Sequence, residues 1–198
     1  MKRLEGSETA INLMRAFAGE SQARNRYYFG AGVAEKEGYR QIKDIFILTA
    51  ENERAHAKVF YNLICEGFQG KLPINLNISA GYPVVGGNTA DHLQGGVHGE
   101  HEEWSEIYPT FGRIAEQEGY PEVSTAFKLI STIEKHHEER FGRFLENVQN
   151  MTIFKKAETV QWYCANCGYI HEGTEAPTIC PACKHPQGYF QVYSEFRL

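Results

Sequence analysis

Shifted by 81 positions, residues 1–150 fall onto themselves. Tyr27 lands on Tyr108, Ala34-Glu35 on Ala115-Glu116, and Glu37-Gly38-Tyr39 on Glu118-Gly119-Tyr120. Further along, Phe46 meets Phe127, Leu48 meets Leu129, Glu53 meets Glu134, His56 meets His137 and Phe60 meets Phe141. Such self-similarity means one supersecondary unit built twice and packed on itself. Near the start of each copy the register differs: Gly19-Glu20 aligns best with Gly99-Glu100, a shift of 80. The second copy therefore carries one extra residue between Glu100 and Tyr108. A helix absorbs such an insertion most easily as a π-bulge, a feature that favours functional sites, and one is expected there.

Each copy reads as a helical hairpin, with apolar positions every three or four residues. The pattern predicts helices from Ser7 to Glu37 before Gly38, from Arg40 to Glu66 before Gly67, from Val97 to Glu118 before Gly119, and from Pro121 to Asn147. Glycine suits a helix C-terminus and proline a first turn. Phe68 to Gly96 is rich in Gly, Pro and Asn. Two tight hairpins need one long connection to join them, so residues 1–150 are expected to form a four-helix bundle with a ferritin-like crossover. From Thr159 the chain turns to short aromatic runs and four cysteines. This second domain, residues 159–198, spans about 40 residues, too few for a good apolar core without a metal.

The stripe that makes each helix a core element also carries charge. Val123, Phe127, Ile130, Glu134, His137 and Phe141 alternate in steps of four and three, so Glu134 and His137 point where the hydrophobic residues point. Ile42, Phe46, Thr49, Glu53, His56 and Phe60 do the same. Glu20 lies in line with Leu13, Phe17 and Tyr27, and Glu100 and Glu103 share a face with Ile107 and Ile114. A buried carboxylate without a partner costs several kcal/mol and takes up a proton. Five of them around one core call for cations, and two trivalent ions nearly neutralise them. Glu and His at i and i+3 reach one metal from a single helix turn, the arrangement of di-iron carboxylate bundles. Carboxylates with one imidazole per metal favour iron or manganese. Glu102 and Glu106 compete with Glu103 for the inward direction, and His136 faces another side. Tyr27 and Tyr108 read either as core aromatics or, given their stripe position and repetition, as hydrogen-bond partners of the carboxylates.

Cys164-Ala-Asn-Cys167 and Cys180-Pro-Ala-Cys183 form two knuckles that bind one metal tetrahedrally. The spacing leaves iron and structural zinc open, although Cys-Gly-Tyr and Cys-Pro-x-Cys match rubredoxin knuckles, whose backbone N–H groups point at sulfur. Cys65, at the end of an apolar stripe, reads as a buried thiol. With 25 acidic and 20 basic residues the net charge is −5, which gives no bulk attraction to nucleic acid or anionic membrane. No apolar run approaches the ~18 residues of a membrane span. The N-terminus Met1-Lys2-Arg3-Leu4-Glu5-Gly6 lacks a secretory apolar region, so a cytoplasmic location is expected.

Gly19-Glu20-Ser21-Gln22-Ala23-Arg24-Asn25-Arg26-Tyr27, Glu53-Arg54-Ala55-His56, Gly99-Glu100-His101-Glu102-Glu103 and Glu134-Lys135-His136-His137 resemble the ligand segments of the rubrerythrin family. Cys164 to Pro186 resembles that family's C-terminal rubredoxin domain. The resemblance implies a non-haem di-iron peroxidase that reduces hydrogen peroxide to water in the cytoplasm as part of oxidative-stress defence. It implies Glu20, Glu53, His56, Glu100, Glu103, Glu134 and His137 as ligands of two irons. It implies as well that Glu103 gives way to His56 on reduction, and that Tyr27 and Tyr108 sit against the carboxylates. It further implies an iron at Cys164, Cys167, Cys180 and Cys183, an external reductase or rubredoxin as electron donor, and a head-to-tail homodimer. Two rivals stand beside this reading. A ferroxidase that stores iron has no use for an electron-transfer tail, and an inert bundle with a zinc ribbon has no use for buried glutamates.

Overall fold

The computed structural model describes residues 2–193; Met1 and the last five residues of the tail expected over 159–198 lie outside the described residues. The first hairpin is α1 (Glu8–Lys36) and α2 (Arg40–Gly67). The second opens with one rod in three parts: α3 (Thr89–Glu102), a π-helical segment (Glu103–Ile107) and α4 (Tyr108–Gln117). It returns along α5 (Pro121–Gln149). Gly38 and Gly119, at φ +83° and +81°, turn the two corners in a conformation that only glycine adopts freely.

The π segment falls where the register shift places an extra residue, with the N–H of Tyr108 reaching back to the carbonyl of Glu103. The third rod, however, begins at Thr89 rather than Val97, which shortens the crossover to residues 68–88. Its start is fixed by a capping box in which Asn88 and Asp91 bond each other's backbone N–H groups. Gly95 and Gly96 hide that turn from a reading by apolar period.

The corners tie the two hairpins together reciprocally. Glu118 accepts from the N–H groups of Glu8 and Thr9, at 3.0 and 2.8 Å, and from the Thr9 hydroxyl at 2.5 Å. Glu37 accepts from the N–H of Thr89 at 3.1 Å. Each hairpin's corner thus supplies a carboxylate to the positive N-terminus of the other hairpin's first helix.

Two aromatic clusters divide the bundle core. Tyr27, Phe46 and Phe141 pack with centroids 5.1–6.1 Å apart, and Tyr108, Phe127 and Phe60 with centroids 5.0–5.7 Å apart. Each cluster takes two rings from one copy and one from the other, as a pseudo-twofold relation requires. The tail is an antiparallel sheet in the order β2 (Ile170–Glu175), β1 (Lys155–Cys164), β3 (Phe190–Val192). Its centre is Trp162, fully buried, whose indole N–H donates to the carbonyl of Gly173 at 3.0 Å. The sheet docks on the Gly38 corner: Tyr39 stacks on Phe154, Arg40 lies 4.7 Å over the Tyr189 ring, and a Cβ at Gly188 would run into the Gly38 carbonyl. Among the described residues no helix is long and apolar enough to cross a membrane.

Candidate metal centres

Between the aromatic clusters lies a layer that is wholly polar and wholly buried. Glu20, Glu53, Glu100 and Glu134 are each at most 1% exposed, and His56 and His137 are buried with them. His56 Nδ1 stands 2.9 Å from Glu134 Oε1, 3.0 Å from Glu53 Oε2 and 3.7 Å from Glu20 Oε2. His137 Nδ1 stands 2.8 Å from Glu134 Oε2, 3.1 Å from Glu53 Oε1 and 3.7 Å from Glu100 Oε2. Paired as the repeat pairs them (His56 with His137, Glu53 with Glu134, Glu20 with Glu100), the distances agree to within about 0.2 Å, as expected for equivalent turns. Two quartets result, Glu20/Glu53/His56/Glu134 and Glu53/Glu100/Glu134/His137, each with its donor atoms within 4.8 Å of one another. Glu53 and Glu134 belong to both.

The tyrosines cross between hairpins. Tyr27 on α1 donates to Glu100 Oε1 on α3 at 2.5 Å, and Tyr108 on α4 donates to Glu20 Oε1 on α1. Each bond takes up one carboxylate oxygen and leaves the other facing the layer's centre.

Electrostatics report the same crowding. Burial first, then the Glu134 charge, holds Glu20 well above the usual carboxylate range, and burial with the Glu53 charge pushes Glu100 up to about 8. Burial also opposes ionisation of Glu53, but the His137 and His56 imidazoles outweigh it and bring the group down to about 2. Burial would lower His137, yet Glu100, Glu134 and Glu53 raise it to about 12, and His56 is raised by Glu134, Glu20 and Glu53 in the same way. Glu20 Oε2, Glu53 Oε1, Glu100 Oε2, both Glu134 oxygens and His137 Nδ1 are buried without an aligned hydrogen bond. Hydrogen-bond geometry leaves these atoms unsatisfied, and leaving them so is costly. A shared pair of hard cations is what this donor set fits.

Glu103 is placed differently. It sits on the π segment, half-buried, outside both quartets. Its Oε1 would lie 3.8 Å from a Cβ at Gly19, and burial followed by the Glu20 charge keeps its carboxyl well above the usual range. It lines a cleft of about 300 Å³, roofed by crossover residues 79–83 and bordered by Tyr108. Glu102 and Glu106 are exposed, as is His136. Cys65 is only half-buried, beside Met14 and Phe17 at a surface cavity, so it is less enclosed than its stripe position implied.

In the tail, Cys164 Sγ lies 3.7 Å from Cys183 Sγ, Cys167 Sγ lies 3.7 Å from Cys180 Sγ, and all four sulfurs lie within 4.8 Å. The knuckles turn through Gly168 and Lys184, both at positive φ. Backbone N–H groups do point at sulfur: that of His185 leads in pulling Cys183 down to about 6. The N–H of Tyr169 acts likewise on Cys167, but burial and the neighbouring thiols overcome it and push that thiol up to about 12. Four thiols converging at one point, one already acidic, form a tetrahedral metal cradle.

A sequence signal for the Tyr–Glu crossing was absent, because Tyr27 and Glu20 share a helix and only packing reveals that each tyrosine serves the other hairpin. The roof over Glu103 was equally hidden in a crossover without periodicity.

Known proteins carry the same two-part plan. Residues 12–145 match the Rubrerythrin family model, and residues 162–191 match the model for the rubredoxin-like domain of rubrerythrin. Rubrerythrin-1 of Clostridium acetobutylicum is 50% identical, with 98% of this chain and 99% of that protein covered. Rubrerythrin of Nitratidesulfovibrio vulgaris is 45% identical, with 97% of each covered. The solved structure of fully reduced, all-ferrous nigerythrin superposes with a TM-score of 0.61 at 29% identity, covering 97% of this chain and 92% of that one. With a family model spanning the bundle and relatives aligned from end to end, this chain belongs to the rubrerythrin family.

Proposed function

We propose that this protein is a non-haem di-iron peroxidase that reduces hydrogen peroxide to water with electrons delivered through an iron held by its four cysteines. The observation that carries this reading is the buried layer itself, in which two quartets share Glu53 and Glu134 and leave six inward donor atoms without aligned hydrogen bonds. Glu20, Glu53, His56 and Glu134 would hold one iron and Glu53, Glu100, Glu134 and His137 the other, with Glu103 replacing His56 in the oxidised form. Two ferrous ions held by these residues would supply two electrons together and Lewis acidity toward the peroxide. That the related nigerythrin is described in an all-ferrous state supports iron over manganese.

The chain's own residues do the rest. Tyr27 and Tyr108 lock one oxygen each of Glu100 and Glu20, which orients the other oxygen inward. The aromatic clusters above and below keep bulk water out and strengthen every charge interaction in the layer. Glu103, at the inner end of the cleft, is placed to hold a proton for the departing oxygen. The four-cysteine tail, present in the same chain, favours peroxidase turnover over iron storage.

Electron delivery needs a second copy. The tail docks at Arg40, and α2 carries Glu53 about 20 Å further along at 1.5 Å per residue. Tunnelling weakens steeply over such a span, so we place the tail of one protomer against the bundle of its partner, head to tail.

The test is anaerobic reduction followed by peroxide titration, with iron counted per chain. About three irons are expected, with one hydrogen peroxide reoxidising each di-iron pair. Replacing Cys164→Ser should abolish turnover with a protein reductant while a single peroxide oxidation of pre-reduced protein survives. A colourless protein with one zinc, or full turnover in Cys164→Ser, overturns the reading.

A further inference from the structure

The cleft beside Glu103 is much larger than hydrogen peroxide requires. At about 300 Å³ it holds roughly ten times the ~30 Å³ that one water occupies. Apolar groups make up most of its walls: Ala16 on α1, Ile107 at the end of the π segment, Phe111 on α4, and the Tyr82 and Pro83 rings from the crossover. The charged Arg15, Arg26, Glu102 and Glu106 are also on its lining. Polar groups converge at the inner end, where Glu103 and Tyr108 stand, and Tyr108 leads directly to Glu20. At Gly19 a Cβ would make ordinary contacts, 3.6 Å from Tyr82 Cε1 and 3.8 Å from Glu103 Oε1, so the glycine leaves a methyl's worth of space between them.

The opening is built, not incidental. The Tyr82 hydroxyl donates to the Arg15 carbonyl at 2.9 Å, and Arg15 Nε donates to the Ser79 carbonyl at 3.2 Å. Two hydrogen bonds thus pin the crossover to α1 and hold the Tyr82 ring across the mouth. Mainly apolar walls, with Glu103 and Tyr108 together at the closed end, suit a small molecule with a hydrocarbon body and a polar head.

We propose that this cleft admits the alkyl group of short-chain organic hydroperoxides, which the protein reduces to alcohol and water, and that Tyr82 sets the largest alkyl group admitted. The proposal rests on the peroxidase reading and extends its substrate class. In the step, the O–O bond of ROOH breaks, two electrons come from the reduced di-iron pair and two protons (H+) from the buffered solvent, and ROH and H2O leave. The external one-electron donor restores the pair through the cysteine-bound iron.

Turnover of hydrogen peroxide, tert-butyl hydroperoxide and cumene hydroperoxide by the full-length, metal-loaded protein tests it. The tert-butyl compound should be reduced with a kcat/KM within about tenfold of that for hydrogen peroxide, and the cumyl compound more slowly, by at least about another tenfold. Tyr82→Ala should raise the cumyl-to-hydrogen peroxide ratio about tenfold, and Ala80→Trp, which fills the cleft from the exposed crossover, should lower the tert-butyl ratio by a similar factor. Independently of turnover, saturation-transfer NMR should detect tert-butanol bound to the wild-type protein and lose it in Ala80→Trp. Hydrogen peroxide consumption without tert-butyl hydroperoxide consumption, or ratios that neither substitution moves, overturns this inference and leaves the peroxidase reading standing. Consumption of no peroxide at all overturns both.

Discussion

The two hairpins place the same donors at the same distances and still differ in what reaches them. In the first, α1 runs unbroken from Glu8 to Lys36, and Ala23, 80 positions before Glu103, is buried in the core. In the second, one extra residue opens a π segment, and Glu103 stands beside a cleft. The layer is therefore symmetric in its donors and asymmetric in its access. Duplication builds a buried pair of metal positions cheaply, because one helix turn folded twice supplies both; a single inserted residue is then enough to give one side a carboxylate and an opening.

The shared carboxylates offer the harshest way to break the symmetry argument. Glu134→Ala removes a donor from both quartets and should leave the bundle without either di-iron ion and without turnover, while the cysteine-bound iron stays as an internal reference in elemental analysis. His56→Ala and His137→Ala each remove a donor from one quartet only and should cost one ion, not two. Equal losses in all three variants would mean the quartets are not two equivalent positions. Next in size is deletion of Ser105, which restores the register of the repeat. Circular dichroism should report an intact helical bundle, while peroxide turnover falls about 100-fold as Glu103 leaves the cleft. Unchanged turnover would make the π segment irrelevant to access.

How far this could be read from sequence follows the same division. Repetition and period fix the bundle, the two Glu-x-x-His turns and the insertion, because each is a matter of register along one chain. What depends on the meeting of two hairpins was not legible. Tyr27 lies in line with Glu20 yet serves Glu100, and Glu37 and Glu118 look like corner residues yet cap helices of the opposite hairpin. The start of α3 carried a local signal, the Asn88-x-x-Asp91 box, which the glycines after Leu93 outweighed in a reading by apolar period.

The crossing tyrosines sharpen the access half of the comparison. Tyr108 borders the cleft and Tyr27 does not, although their hydroxyls do equivalent work. A hydrogen bond to a charged group contributes about 1.5–3 kcal/mol, so Tyr108→Phe should slow peroxide reduction about tenfold, with 1.4 kcal/mol per factor of ten. Tyr27→Phe should slow it less, about twofold to threefold, in stopped-flow oxidation of pre-reduced protein. Equal effects would show that both hairpins meet the substrate alike.

The smallest effect lies at the corners, where the halves differ in strength. Glu118 receives three hydrogen bonds from the start of α1, whereas Glu37 is bonded by the Thr89 N–H of α3. Burial works against the Glu118 charge, but the Thr9 hydroxyl and the two N–H groups bring its carboxyl below the ordinary value of 4.5. A group whose folded value is depressed stabilises fully above its unfolded value and loses that contribution as pH falls through the folded one. Glu118→Gln should therefore lower stability by about 1 kcal/mol at pH 7, a figure kept to the capping range and discounted for solvent around the group. The gap from wild type should shrink below pH 4.5 as the native carboxyl protonates. Glu37→Gln should cost less than Glu118→Gln at pH 7. Denaturant unfolding at pH 7 and pH 3.5 measures both. A gap for Glu118→Gln that persists at the lower pH would mean that the helix end responds to the side chain's shape rather than its charge.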